Sequence, residues 1–196
     1  MQDLPAYEMS PKYREVLAIV QRNAEQDRKT LVWSTFIRSL NTLQRILANF
    51  SPALVHGGTA DREEQIQRFR RDPNCFVLLS NPATLGEGIS LHHECHDAVY
   101  VDRDFAAGRF LQSLDRIHRL GLDPDITTHI TVLASEGTVD EAVAARLADK
   151  LKFMGGILDD PAVQQLADLD EEPTVGGALD KGDLQVLMGH IRAASS

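Results

Sequence analysis

Short apolar runs alternate with stretches of helical period along most of this chain. The first helical stretch covers residues 11–26, where Val16, Leu17, Ile19 and Val20 recur at helical spacing. Ser10 precedes it as N-cap, with Pro11 at the first helical position, where a missing N–H costs nothing. Residues 30–34, Thr-Leu-Val-Trp-Ser, form a mostly apolar run that predicts a buried strand. A second helix is predicted over 37–49, burying Leu40, Leu43, Ile46 and Leu47, and then a brief strand over 53–56 closed by Gly57 and Gly58. Thr59 reads as the cap of a helix over 61–71, which Asp72-Pro73 ends. Residues 75–79 are the clearest strand, 97–101 a fourth, and 127–133, alternating polar and β-branched residues, a fifth.

Strand and helix in alternation predict an α/β fold of three layers, a mainly parallel sheet covered on both faces. Ligands of such folds lie beyond the carboxyl ends of the strands. Past the fifth strand the chain reads as helical. Thr138 caps a helix over 139–153, Asp140 and Glu141 suit its N-terminal dipole, and Met154-Gly155-Gly156 should end it. A further turn or two over 161–168, a linker over 170–177 and a short amphipathic helix over 183–192 follow. The expected division is a lead-in over 1–10, the α/β domain over 11–135, and a helical extension with an acidic tail over 136–196.

Charge changes this picture in one respect. The net charge of −9 is uneven: residues 1–135 carry 15 Lys/Arg against 17 Asp/Glu, and residues 136–196 carry 5 against 12. The acidity belongs to the tail, so a polyanionic partner requires a local basic surface. No apolar run approaches the ~18 residues of a membrane span, and the start of the chain has neither signal nor transit character. Cys75 and Cys95 imply no disulfide framework and suit a reducing cytosol.

Chemistry concentrates at the ends of the predicted strands. In Gln112-Ser113-Leu114-Asp115-Arg116-Ile117-His118-Arg119-Leu120-Gly121, two arginines three residues apart share one helix face, and Leu111, Leu114, Ile117 and Leu120 form the buried stripe opposite. Two guanidinium forks aimed at one target suit phosphate or carboxylate oxygens; a solvated basic face is the plainer alternative. After the third strand, Ser80-Asn81-Pro82-Ala83-Thr84-Leu85-Gly86-Glu87-Gly88-Ile89-Ser90-Leu91 lets backbone N–H groups approach an anion, and His56-Gly57-Gly58-Thr59 has the same character. His92-His93-Glu94-Cys95-His96 has the look of a metal cluster, but it falls in a predicted loop and no further ligands complete four, so it reads as a solvated polar loop without metal. His118 has no partnered nucleophile to serve as a base.

Taken in order, the strings Lys29 to Ser34, His56 to Thr59, Leu78-Leu79-Ser80, Gly86 to Leu91, Asp102-Arg103-Asp104-Phe105 and Gln112 to Gly121 resemble helicase superfamily two, most closely the second RecA-like lobe of Swi/Snf-type ATPases. The resemblance covers roughly residues 10–150. It implies that Arg116 and Arg119 act as arginine fingers at the γ-phosphate of ATP, with Gly86, Glu87, Gly88 and Gln112 on the nucleotide side. His56, Gly57, Gly58, Arg62, Ser80 and Asn81 would lie along a DNA backbone, and the helix over 138–150 would brace a first lobe. The family's Asp-Trp-Asn-Pro is Asp104-Phe105-Ala106-Ala107 here, its Gly-Gln ending is Gly121-Leu122, and the glycine loop is one residue longer. These departures imply a divergent member of prokaryotic, cytoplasmic origin. No glycine is followed by lysine and no Asp-Glu-x-His occurs, so the cradle for ATP phosphates and the Mg²⁺ ligands must come from the first lobe. Two functions stay open: the C-terminal motor lobe of an ATP-dependent DNA translocase, inactive alone, or a non-catalytic RecA-like adaptor that binds a protein partner.

Overall fold

A computed structural model describes residues 9–85, 89–117 and 127–158. Its elements, in chain order, are α1 (Pro11–Ala24), β1 (Thr30–Trp33), α2 (Ile37–Ile46), a 3-10 turn (Ala48–Phe50), β2 (Ala53–Val55), α3 (Arg62–Arg71), β3 (Val77–Ser80), β4 (Asp97–Tyr100), α4 (Ala107–Leu114), β5 (His129–Val132) and α5 (Val139–Leu158). The strands form one sheet in the order β2-β3-β1-β4-β5, every neighbouring pair parallel. The three-layer α/β expectation therefore holds.

Register decides where chemistry can sit. Trp33 pairs with Ser80 and with Tyr100, Val55 with Ser80, and Tyr100 with Val132. All five strands thus end level, and the loops that follow emerge from one edge. The strands read as unbroken apolar runs because both faces are covered: β1, β3 and β4 are buried throughout. On one face Val32, Val77, Leu79 and Val99 pack with Val16, Ile19 and Val20 of α1, with Leu40 and Leu43 of α2 and with Leu47 just past it. Each such side chain contributes about 1.5–3 kcal/mol by leaving water. The alternate residues Leu31, Trp33, Leu78 and Tyr100 point to the other face. There α3 packs on β2 and β3 with Ile66 and Phe69 buried, and the Trp33 and Tyr100 rings stack at 6.3 Å between centroids.

Helix ends follow local chemistry only in part. Ser10 caps α1 as expected, its hydroxyl accepting from the Tyr13 N–H with Pro11 at N1. Thr59 does not cap α3. Its hydroxyl accepts from the His56 N–H at 2.9 Å, closing a turn, and α3 starts at Arg62 with no side-chain cap. A hydroxyl this close to a strand end finds a strand amide before it finds a helix amide. The helix of the two arginines was expected to run to about residue 121, but α4 stops at Leu114. The Arg116 and Ile117 amides turn back to the Ser113 and Leu114 carbonyls, three residues behind, so the last residues tighten out of α geometry. The expected break at Met154-Gly155-Gly156 is absent, because α5 continues to Leu158. Two glycines cost a helix about 1 kcal/mol each, too little to stop one already propagating.

The chain divides into two compact units: residues 1–102 with 113–133, and residues 103–112 with 134–196. In the second, Thr138 caps α5 by accepting from the Asp140 N–H. Val143, Leu147 and Leu151 are buried, and the fully buried Lys150 donates to the Phe105 carbonyl at 2.9 Å. Asp104 accepts from the Ala106 N–H and pairs with Arg109 at 2.7 Å, shaping the start of α4. The expected elements over 161–168, 170–177 and 183–192 lie outside the described residues. No helix among the described residues is long and apolar enough to cross a membrane.

Candidate functional site

At the carboxyl edge of the sheet, three loops are tied into one polar assembly. Asp102, two residues past β4, accepts from the Ser34 hydroxyl at 2.5 Å, from the Thr35 N–H at 2.6 Å and from the Thr35 hydroxyl. The Asn81 side-chain amide, past β3, donates to the Thr35 carbonyl at 2.7 Å. The peptide groups on both sides of Thr35 are therefore held, one by the β4 loop and one by the β3 loop. Asn81 also receives the Ala83 N–H on its side-chain oxygen, and its carbonyl takes the Thr84 N–H, so its own turn is set.

The loop after β2 stands beside these. The His56 ring accepts from the Gly58 N–H at 3.0 Å, while the Thr59 N–H returns to the His56 carbonyl. A Cβ on Gly58 would come 3.3 Å from the His56 ring, so a larger residue would have to displace that ring slightly. A Cβ on Gly57 would lie 4.0 Å from the Thr84 hydroxyl oxygen, which makes the β2 and β3 loops neighbours. Gly57 and Gly58 are exposed. Arg62 opens α3, half-buried, with no hydrogen bond or ion pair among the described residues. Of the residues assigned to a nucleic-acid backbone, Ser80 is placed differently from the rest. It is fully buried and its hydroxyl donates to the Val55 carbonyl at 2.8 Å, joining β3 to β2.

Arg116 lies just past α4, half-buried. Its guanidinium donates to the Ile89 carbonyl at 3.1 Å, and its own carbonyl accepts the Leu91 N–H at 2.7 Å. The turn bearing Arg116 is thus stitched twice to the segment Ile89–Leu91. The same turn is anchored by the Tyr100 hydroxyl, 2.6 Å from that of Ser113. Gln112 is exposed on α4. Gly86, Glu87, Gly88, His118 and Arg119 lie outside the described residues.

The histidine-rich stretch over 92–96 forms turns before β4, as expected. There the Ser90 hydroxyl meets the His92 ring, and the His92 and His93 rings lie 3.9 Å apart. Among the described residues no group of three His, Cys, Asp or Glu could hold a metal ion. Cys95 is buried with its thiol 3.3 Å from the Lys29 and Asp97 carbonyls; burial pushes its pKa up to about 12, and burial also raises that of Cys75. Both are inert structural thiols. The residues that sequence reasoning missed are Thr35 and Asp102. Their signal was available: each is polar and lies two residues past a buried strand, near where ligands gather in parallel sheets.

Residues 11–121 match the family described as helicase conserved C-terminal domain. The chain belongs to that family. Among curated relatives, a Caenorhabditis elegans "SWI/SNF-related matrix-associated actin-dependent regulator of chromatin subfamily A containing DEAD/H box 1 homolog" is 31% identical over 160 residues, 76% of this chain and 16% of the relative. The Saccharomyces cerevisiae "ISWI chromatin-remodeling complex ATPase ISW2" is 28% identical over 153 residues, 75% of this chain and 13% of the relative. The helicase C-terminal domain described here thus spans about a sixth or less of these proteins' length. Among solved structures, the C-terminal part of the Fun30 ATPase domain aligns over 100% of this chain and 57% of that one, with TM-score 0.72 and 18% identity. The Sulfolobus solfataricus SWI2/SNF2 ATPase core in complex with dsDNA aligns over 85% of this chain and 36% of that one, with TM-score 0.56 and 20% identity. At these identities the structures confirm the RecA-like fold. Both sequence relatives are eukaryotic, so the expected prokaryotic source finds no support in them.

Proposed function

We propose that this helicase C-terminal domain is the second motor lobe of a Swi/Snf-type, ATP-driven DNA translocase. A first lobe holds ATP and Mg²⁺; Arg116 and Arg119 reach the γ-phosphate as it transfers, and Gly86, Glu87, Gly88 and Gln112 line the nucleotide side. Fixed guanidinium forks stabilise the charge that develops on the transferring group. His56, Gly57, Gly58 and Arg62 meet the DNA backbone with N–H and cationic donors that grip without reading sequence, while Ser80 and Asn81 hold the loops that present them. The observation that carries this reading is the double stitch between the Arg116 turn and Ile89–Leu91. It ties the Arg116 turn to the segment that follows Gly88 in sequence, a link of the kind that coupling nucleotide and DNA sites requires.

The test compares the 196-residue chain alone with the same chain joined to an ATP-binding lobe. Alone, it hydrolyses ATP negligibly and binds duplex DNA weakly, with marked salt sensitivity and no sequence preference. Joined, it supports DNA-stimulated turnover. Robust hydrolysis by the isolated chain overturns the reading, as does strong preference for one DNA sequence at physiological salt.

A further inference from the structure

Cationic side chains fasten the C-terminal half of α3. Arg68 donates to the Ser51 carbonyl at 2.8 Å, and Lys29, just before β1, reaches the Phe69 and Asp72 carbonyls. Arg70 is used differently, donating to the Ser90 carbonyl at 2.7 Å. The preceding carbonyl, that of Ile89, takes the Arg116 guanidinium at 3.1 Å. Two arginines from separate elements thus hold consecutive carbonyls of one short segment. Leu91, next in line, is fully buried with both main-chain groups engaged. Its N–H donates to the Arg116 carbonyl, and its carbonyl accepts from the Glu94 and Cys95 amides at 3.0 and 2.9 Å. A segment bonded in this way shifts together with what holds it.

Arg70 also faces Glu94. Its Nε lies 3.8 Å from Glu94 Oε1, an ion pair still short of a hydrogen bond. Arg70 Nε and Glu94 Oε2 are both buried atoms, and among the described residues neither has a hydrogen-bond partner. A buried donor and a buried acceptor left unmatched cost free energy, and an approach of about 1 Å would make the pair a charge-assisted bond. The contact therefore has a closer arrangement to gain. At its other end α3 begins at Arg62, shortly after the His56–Thr59 turn, and Arg70 stands about 12 Å further along the helix axis.

We propose that Arg70 is a positioning residue for Arg116, carrying a displacement of α3 to the Ile89–Leu91 segment and through it to the Arg116 turn. This rests on the motor-lobe reading above and adds the side chain that joins its two sites. Arg70 itself meets neither DNA nor nucleotide. When DNA shifts the start of α3, the helix moves as a rod, the Arg70–Glu94 gap closes, and the Ser90 carbonyl is carried with it. Arg116, bonded to the adjacent carbonyl, is re-aimed in the same movement. DNA then raises turnover without any change in how tightly nucleotide is held, because what changes is the placement of a group that acts in the transition state.

The experiment measures ATP turnover of the chain joined to its ATP-binding lobe, without DNA and with saturating duplex, alongside Kd for nucleotide and duplex and the melting temperature. Arg70→Met keeps an aliphatic stem and removes the donors. Its turnover without DNA and both Kd values match wild type, while stimulation by DNA falls about ten-fold. Arg70→Lys restores most of the stimulation, since a neutral carbonyl needs one donor and not a planar fork. Glu94→Gln keeps the shape and loses the ion pair, lowering stimulation about three-fold; it decides the matter alone if Arg70→Met fails to fold. Arg71→Met, the same loss of charge at the exposed next position, leaves stimulation unchanged. Equal loss of turnover with and without DNA would make Arg70 a structural strap and overturn the proposal. Wild-type stimulation in Arg70→Met, or in Glu94→Gln, overturns it too and leaves the motor-lobe reading standing. Loss in Arg71→Met equal to that in Arg70→Met would trace the effect to charge and sink the proposal as well. If the wild-type protein shows no stimulation by DNA, the motor-lobe reading falls and this one falls with it.

Discussion

The Arg116 guanidinium donates to the Ile89 carbonyl across a sequence gap of 27 residues. A predicted finger is thus already positioned by the chain that leaves the glycine loop, instead of projecting freely from a helix. Arg116→Ala therefore has two separable consequences. Losing one charge-assisted hydrogen bond at a half-buried site lowers stability by about 1 kcal/mol, a small fall in melting temperature. In a protein that includes the ATP-binding lobe, ATP affinity stays close to wild type while turnover falls by about 10³-fold or more. Arg116→Lys keeps the charge but not the planar fork and does not rescue turnover. Measurements of kcat and nucleotide Kd decide: unchanged kcat would make Arg116 a structural strap for Ile89 and nothing more.

Asp102 is the centre of the β1–β4 clasp, so its removal should act on shape before it acts on charge. Asp102→Ala deprives the Ser34 hydroxyl and the Thr35 N–H and hydroxyl of their acceptor at once, at a cost of about 2 kcal/mol, because hydrogen bonds to a carboxylate exceed neutral ones. Asp102→Asn keeps one acceptor oxygen and loses about half as much. Removing a negative charge would by itself tighten DNA binding; losing the clasp loosens the edge formed by Thr35 and the Asn81 turn. Weaker DNA affinity in Asp102→Ala, together with the stability loss, is the expected result. Tighter binding would show that the carboxylate only repels.

Much of the framework was legible because its determinants are local. A parallel strand buried on both faces is mostly apolar, so residues 30–34, 75–79 and 97–101 stand out without any knowledge of their partners, and the observed strands overlap each of these within two residues. Ser10 and Pro11 carry a helix start within two residues. What failed was decided at long range. Nothing near Leu114 announces a helix end; α4 tightens there as the Arg116 turn binds Ile89 and Leu91. Thr59 has the chemistry of a cap, and a strand amide claimed it first. Asp102 belongs to a string that carries part of the family resemblance, but its part in the β1–β4 clasp appears only when those strands are neighbours. Candidate residues at the sheet edge were found because strands predict where loops emerge, whereas Ser80 illustrates the limit. It was expected in the loop after the third strand, but it is the buried last residue of β3, and its hydroxyl points to the Val55 carbonyl, which spacing alone does not reveal.

Lys29 tests whether the two ends of the sheet are independent. It precedes β1 at the amino edge, where its ammonium donates to the Phe69 and Asp72 carbonyls and lies 5.2 Å from the centre of the Phe69 ring. It therefore satisfies carbonyls left open where α3 ends and complements the negative end of that helix. Lys29→Met keeps the aliphatic stem and loses the donors, lowering stability by about 1–2 kcal/mol. DNA affinity of the folded variant should match wild type, since the carboxyl-edge loops are untouched. A loss of affinity at a temperature well below its melting point would place Lys29 on the DNA path.

Alkaline pH reports on the buried thiols. Cys95 is 1% exposed, and burial raises its pKa from 9.0 to about 12; Cys75 is raised in the same direction, also chiefly by burial. Below the unfolded-state value both states hold the proton, and the thiol contributes nothing to pH dependence. Above about pH 9 the unfolded chain releases it while the folded chain keeps it, so stability falls as pH rises, by about 1.4 kcal/mol per pH unit for each such thiol, until the folded pKa is reached. Cys95→Ala is expected to be less stable than wild type at neutral pH, because it leaves space in a packed site. The difference should then narrow steadily as urea melts are repeated from about pH 8 to about pH 11, since only wild type carries that titration. Parallel decline of the two proteins would show that the Cys95 thiolate is solvated on the folded chain, and with it that the floor of the sheet beneath Lys29 and Asp97 is open to water.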